Sequence, residues 1–573
     1  MSETRRPDET KEQQRGTGDG TPAKASERVA TILSTVVGTP VAAVAAAFLA
    51  VATVASAFVT CYPRMGEVPL MLESAMGSET GIAVQVAAPL AVAAALLLAV
   101  RHGIPALDRL PTRGVVAAAM GFALVAQVAW TAIFMTGVSH FHDTVQLDAI
   151  ARALIEGDGS MFMSASEWSG PISGEGPGYL IRVPYQAGAA LLFAAVYAVS
   201  GAGNLVAIQC LNVVANMVSL AAVIGTAREA ARASGREGDA VGRATKVTAI
   251  AACSFLPFLM SATFVYSNAV GLALAALAIW LSAWVWGHDL GAARELACLA
   301  GAGALLSVAV MAKTTLVLIA FALVPAWCLH LLRRRRPAAI LAALLLLVAA
   351  AQAKNLPIAA IESMTGTDLG DGQPLAANIV MGVSWSDSTG LPGWYNDAAM
   401  DCWNETDGSM EAQSEWCRER LSERMAEWGR DPAAAASFLG EKLATEWLDP
   451  TYQAMWFSQT NMDESHWREA AAVGTVGRRA SLPLLVVEDG LQTALYMLAT
   501  AGLAGTCLRA ARRRATVVEL LVAGVAFVGI ATYTLWEAQS MYILPFVLLL
   551  LPAAASGATL LGAQKMCEAS SRR

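Results

Sequence analysis

Four ionisable side chains stand where an otherwise apolar chain gives way to short polar stretches: Asp143, Arg182, Lys313 and Glu537. Asp143 lies in the run Ser139-His140-Phe141-His142-Asp143-Thr144-Val145-Gln146-Leu147-Asp148. A carboxylate at a membrane–water boundary can take the proton of a hydroxyl nucleophile, which makes Asp143 the candidate general base and His142 and Asp148 candidate substrate contacts. The same position suits a second role. Val145, Leu147, Ile150, Ala151 and Leu154 predict an amphipathic helix reaching Glu156, and an Asp at its start would cap it. Arg182 sits in Gly178-Tyr179-Leu180-Ile181-Arg182-Val183-Pro184-Tyr185-Gln186, where a guanidinium can grip phosphate or simply snorkel to water. Tyr179, Tyr185 and Gln186 flank it as substrate-binding candidates, and the tyrosines also suit interfacial anchoring. Lys313 falls between two apolar runs, where an ammonium must reach water, a headgroup or a ligand. Glu537 lies in Trp536-Glu537-Ala538-Gln539-Ser540-Met541-Tyr542, again between apolar runs. A carboxylate base with cations nearby is equipment for transferring a group away from an anionic leaving group.

The elements that must position these residues are membrane helices. Of 573 residues, 56% are hydrophobic and 15% charged, and the mean hydropathy is +0.50. That balance excludes an ordinary soluble domain, and the dispersed basic residues exclude a nucleic-acid partner. Apolar stretches of spanning length occur near 38–60, 82–100, 114–137, 203–226, 247–265, 268–287, 296–312, 314–332, 337–353, 483–507, 515–535 and 542–561. A shorter piece covers 187–201. With both termini in the cytoplasm and one crossing per long stretch, 26 of the 39 Lys and Arg residues face inward. Letting 187–201 cross as well would turn Arg333–Arg336 outward, so it is expected to be re-entrant or interfacial. The reading is therefore an all-α polytopic protein of the cytoplasmic membrane, with about twelve spans and one short helix. Its regions are a disordered tail (1–28), a membrane core (29–353) carrying the outer loop 138–186, a mostly helical extracytoplasmic domain (354–482) and a closing membrane segment (483–573).

In the outer domain Leu421, Met425 and Trp428 set a helical spacing within 411–447, and Trp394, Tyr395, Trp403, Trp447, Tyr452 and Trp456 serve a small core or a carbohydrate platform. Cys402 and Cys417 form a candidate disulfide there, with two free thiols as the alternative. No CxxC or clustered His/Cys pattern marks a zinc site.

These stretches together resemble the polytopic GT-C glycosyltransferases, in particular bacterial relatives of the protein O-mannosyltransferase and aminoarabinose transferase group. The resemblance rests on the loop Asp143, the Tyr179–Gln186 approach to Pro184, the outer hairpin Phe264-Val265-Tyr266-Ser267-Asn268, and the Trp536–Tyr542 segment. It implies transfer of a sugar, with inversion, from a polyprenyl-phosphate donor to a glycan, lipid or protein acceptor. In that scheme Asp143 is the base, Arg182 and Lys313 bind the donor phosphate, and Tyr266, Asn268, Glu537 and Tyr542 contact substrate. The chain departs from the family pattern in three ways. Thr144 stands where many relatives have a second acid, Asn268 stands where the hairpin often ends in Asp, and two extra spans precede the Asp143 loop. The first two leave a divalent metal and a second carboxylate open. A transporter or flippase of a lipid-linked glycan shares the hydropathy, but it predicts internal repeats and ionisable residues within the spans.

Overall fold

The computed structural model describes residues 22–63, 70–74, 86–135, 142–168, 175–235, 238–387, 390–460 and 464–571. Among them are nine helices long and apolar enough to cross a membrane, or up to twelve if each of three bent helix pairs is one span. The bent pairs are Asp239–Cys253 with Leu256–Thr263, Pro337–Gln352 with Asn355–Thr365, and Ser540–Leu549 with Leu551–Gly562. This is a polytopic, predominantly helical membrane protein. Two features depart from the sequence reading. A two-stranded antiparallel ribbon joins Val59–Pro63 to Leu70–Ser74 and is tied to the outer domain by the Cys61 amide, which donates to the Leu448 carbonyl at 3.0 Å. The helix Pro22–Val36 also occupies residues assigned to the tail, of which 1–21 lie outside the described residues. Polar residues dilute its pattern, yet Ser26, Ala30 and Ser34 recur every four residues on its buried face.

One end of the bundle is stitched together by basic side chains from the short loops. Arg243 pairs with Asp108, Arg334 with Asp289, Arg335 with Glu27, Arg336 with Glu295 and Arg509 with Glu519. Glu519 also completes a capping box with Thr516 at the start of Val517–Leu535. The candidate site residues gather at the opposite end.

That end depends on a break in the membrane helices. Asp239–Cys253 and Leu256–Thr263 meet at 56°, and the short second leg ends with carbonyls that have no helical partner and that apolar surroundings cannot satisfy. Three amides on one face of Leu205–Ala233 answer them. Gln209 donates to Thr263 O at 3.0 Å, Asn212 to Phe264 O at 2.7 Å, and Asn216 to Phe258 O at 3.2 Å. The spacing i, i+3, i+7 puts all three on one stripe. The turn carrying Tyr266 is thereby fixed to the bundle.

The short apolar helix Ala187–Ser200 begins and ends at this same end. Gln186 at its start bonds Tyr266, and Gly203 just beyond it packs so closely on the Arg152 guanidinium that a Cβ would lie 1.7 Å from it. The predicted helix over 411–447 is two helices, Met410–Arg430 and Pro432–Trp447, because Asp431 caps the second and Pro432 opens it. The second is embedded, with Lys442, Thr445, Glu446 and Trp447 all buried.

Candidate active site

Asp143 is the second residue of the helix His142–Glu156 and lies in its first turn, where the helix dipole favours a negative charge. Thr144, next along, is buried and donates its hydroxyl to the Val265 carbonyl at 2.7 Å. A threonine here thus bolts the Asp143 helix to the Tyr266 turn, which an acid could not do by donation. The Tyr266 hydroxyl receives a hydrogen bond from Gln186 Nε2 at 2.5 Å and faces Asp143 Oδ2 at 3.4 Å. His142 Nδ1 lies 3.8 Å from the other Asp143 oxygen, and its Nε2 is 3.9 Å from Glu175. The buried Tyr179 hydroxyl is near the same carboxylate but makes no hydrogen bond of good geometry.

Burial works to raise the Asp143 carboxyl, but the His142 contact and the charge of Lys313 outweigh it and hold the group below its ordinary value. Its side chain keeps 35% of its surface accessible, so the carboxylate is ionised at neutral pH and open to a substrate proton. Lys313 Nζ stands 4.6 Å above the Tyr266 ring centroid and 5.7 Å from that of Tyr542, a cation–π arrangement. Burial lowers its ammonium, and Asp143 and Glu537 pull it back only in part. Burial pushes the Glu537 carboxyl up to about 7, with the Asp143 charge adding to the rise and Gln539, Lys313 and Lys442 opposing it. Two carboxyls in one site are thus set apart by their surroundings. Burial also raises the Tyr179, Tyr185 and Tyr266 hydroxyls, which remain protonated donors.

Arg182 ends the short helix Pro177–Arg182, and its side chain is buried. Gln373 holds it twice, accepting from Nη1 at 3.2 Å and donating its own amide to the Arg182 carbonyl at 2.9 Å. Arg182 Nε is buried with no hydrogen-bond partner, an unspent donor. Gly372 makes the clamp possible, since a Cβ there would lie 2.3 Å from Pro184 and its φ is +70°. Tyr185 lies within electrostatic reach of Arg182, Asp143 and Glu537 alike.

The structure therefore brings together His142, Asp143, Tyr179, Tyr185, Gln186, Tyr266, Lys313, Glu537 and Tyr542, with Arg182 beside them. Ser139, His140 and Phe141 lie outside the described residues. Asp148 is committed elsewhere: it accepts from Arg152 at 2.9 Å and from the Tyr197 hydroxyl, bracing Ala187–Ser200. Both its oxygens thus already accept from protein donors. Asn268 heads the helix Asn268–Trp286 with its Oδ1 buried and without a partner, and no hydrogen bond joins it to Asp143. Cys402 and Cys417 are free thiols with sulfurs 3.8 Å apart. Trp394, Trp403, Trp447 and Tyr452 are core, whereas Tyr395 is exposed. Among the described residues, no group of three or more His, Cys, Asp or Glu side chains is arranged to hold a metal ion. Sequence reasoning missed Gln373 and Lys442, polar side chains of an outer domain whose aromatic residues and cysteines were singled out instead.

The solved structures this fold is similar to include the oligosaccharyltransferase AglB of Archaeoglobus fulgidus in complex with an inhibitory peptide and a dolichol-phosphate. The match has 13% identity and a TM-score of 0.39, covering 78% of this chain and 50% of that one. ArnT from Cupriavidus metallidurans bound to undecaprenyl phosphate matches at 13% identity and a TM-score of 0.30, over 76% of this chain and 77% of that one. The chain spans about half the length of the oligosaccharyltransferase. No protein-family model and no curated protein matches it.

Proposed function

We propose that the chain is a membrane glycosyltransferase that moves a sugar from a polyprenyl-phosphate-linked donor to a glycan, lipid or protein acceptor at the outer face of the cytoplasmic membrane. The observation carrying this reading is the gathering of Asp143, Lys313 and Glu537 around Tyr266, with Arg182 alongside, from four stretches far apart in sequence. Asp143 takes the acceptor hydroxyl proton as that oxygen bonds to the anomeric carbon. The bond from that carbon to the phosphate oxygen breaks in the same displacement, which inverts the centre. The leaving polyprenyl phosphate keeps the electron pair, and its charge is met by Lys313 and the free Arg182 Nε. Tyr179, Tyr185, Gln186, Tyr266 and Tyr542 line the sugar, and ionised Glu537 accepts from its hydroxyls.

The twelve-span arrangement suits this chemistry, with both termini cytoplasmic and Ala187–Ser200 lying at the interface, because the lipid tail can stay in the bilayer while the headgroup reacts. A transporter of a lipid-linked glycan is the second reading. One observation favours it: Glu488 and Asp489 are buried within the candidate span Pro483–Ala511. Purified protein in lipid nanodiscs, given a panel of radiolabelled polyprenyl-phosphate sugars, separates the two. The transferase reading expects consumption of at least one donor by the wild type and consumption slower by about 10²–10⁴ by Asp143→Asn. Translocation in proteoliposomes without consumption of any donor overturns it.

A further inference from the structure

The outer domain reaches into the site through a lysine that the proposed reaction does not use. Lys442 is fully buried, and its ammonium donates to the carbonyls of Gly382 at 2.8 Å, Thr534 at 3.2 Å and Trp536 at 2.5 Å. Thr534 and Trp536 are the last turn and the C-cap of Val517–Leu535, where unsatisfied carbonyls and the helix dipole both favour a cation. Glu537 is the next residue.

The same short segment is held at further points by the outer domain. The Ala538 amide donates to Gly393 O at 2.7 Å, and the Ser540 hydroxyl donates to Asp449 at 2.6 Å. Gly393 lies directly over the lysine stem, and a Cβ there would meet Lys442 Cδ and Cε at 2.7 Å. A buried ammonium with three carbonyl partners is costly to strip of water and is poorly replaced by any other side chain. Its placement beneath one carboxylate of the site is a specific arrangement.

We infer that Lys442 is a positioning residue: by fastening the Trp536 carbonyl it sets the place of Glu537 in the site, with its ammonium as one of the two cations beside that carboxylate. This rests on the glycosyltransferase reading only for its consequence in turnover. The groups facing Glu537 are Asp143, Lys313 and Lys442, the hydroxyls of Tyr185, Tyr395, Tyr533 and Tyr542, and the Gln539 amide. Of the two cations, Lys442 is the one bonded to the Trp536 carbonyl, in the peptide group that leads into Glu537.

The test needs no known substrate. Infrared difference titration of the protein in nanodiscs reads the protonated-carboxyl band of Glu537, assigned as the band lost in Glu537→Gln. The wild-type midpoint is expected near about 7. Lys442→Met should move it up, the direction of losing an opposite charge together with the tether on the Trp536 carbonyl. Ser540→Ala cuts a different tether and leaves the charge, so its midpoint should stay with the wild type. An unmoved midpoint in a folded Lys442→Met protein overturns the inference. If that variant does not fold, Gly393→Ala, which displaces the lysine stem without removing its charge, must shift the midpoint or the inference fails. With an active donor in hand, the pH dependence of KM should move in step with the midpoint. Failure of every donor while the midpoint still moves refutes the transferase reading and leaves the role of Lys442 standing.

Discussion

Replacing Asp143 with Asn removes one charge and almost no volume, so its cost to the fold and to the chemistry can be worked out separately. The carboxylate makes one long hydrogen bond to Tyr266, at 3.4 Å, and a 3.8 Å contact with His142, and 35% of the side chain is accessible. An amide oxygen can keep the Tyr266 contact, so the loss of stability should stay within about 1 kcal/mol. The chemistry loses its base outright. General-base catalysis contributes about 10²–10⁴ in rate, or about 2.7–5.4 kcal/mol of barrier. The electrostatics give a second signature. The Asp143 charge helps push Glu537 up to about 7, so removing it should lower the Glu537 midpoint. A KM profile that worsens as pH falls through about 7 in the wild type should worsen at lower pH in the variant. Single-turnover transfer from radiolabelled donor gives the rate, and thermal unfolding in nanodiscs gives the stability. A folded Asp143→Asn protein that transfers within tenfold of the wild type would refute the assignment of the base.

Arg182→Ala and Gln373→Ala should both weaken binding of undecaprenyl phosphate in fluorescence titration. The first should do so by about 10- to 100-fold, as expected for lost charge-assisted hydrogen bonds. Lys354→Ala, away from the cluster, should change it less than twofold on the order-of-magnitude scale of exposed charges. Asn212→Leu should cost about 1–3 kcal/mol in chemical denaturation, because it strands the buried carbonyl of Phe264. Cys402 and Cys417, with sulfurs 3.8 Å apart, should lose reactivity toward maleimide together under mild oxidant, and the crosslink should stabilise the outer domain by up to about 3 kcal/mol. Independent labelling of either thiol after oxidation would contradict that.

The spans, the clustering of basic loops and the candidates Asp143, Arg182, Lys313 and Glu537 were legible because each follows from a local signal. Membrane length is written in runs of apolar residues, and a charge between two such runs stands out. What stayed hidden has a common cause. Lys442 and Gln373 sit among polar neighbours in the outer domain, where one more lysine or glutamine carries no contrast, and only tertiary packing makes them part of the site. Gln209, Asn212 and Asn216 were visible as polar residues in an apolar run. Their purpose, however, depends on a helix break near 254, where Pro257 cannot donate to the Cys253 carbonyl, and the sequence does not say which carbonyls beyond that break the amides will meet. The Asp148 contacts were hidden for another reason: its place one turn beyond Asp143 does not show that its oxygens accept from Arg152 and Tyr197.

The amide stripe of Leu205–Ala233 bears on how the chain is made. Emerging alone, that helix carries three side-chain amides with no acceptors in the bilayer, and the kinked stretch that follows carries the matching bare carbonyls. Neither leg is comfortable in lipid by itself, but together they leave few groups wanting. Residues 205–264 therefore form a hairpin whose two legs complete each other's hydrogen bonding within one stretch of sequence, so the floor beneath Tyr266 does not wait on the helices bearing Lys313 and Glu537.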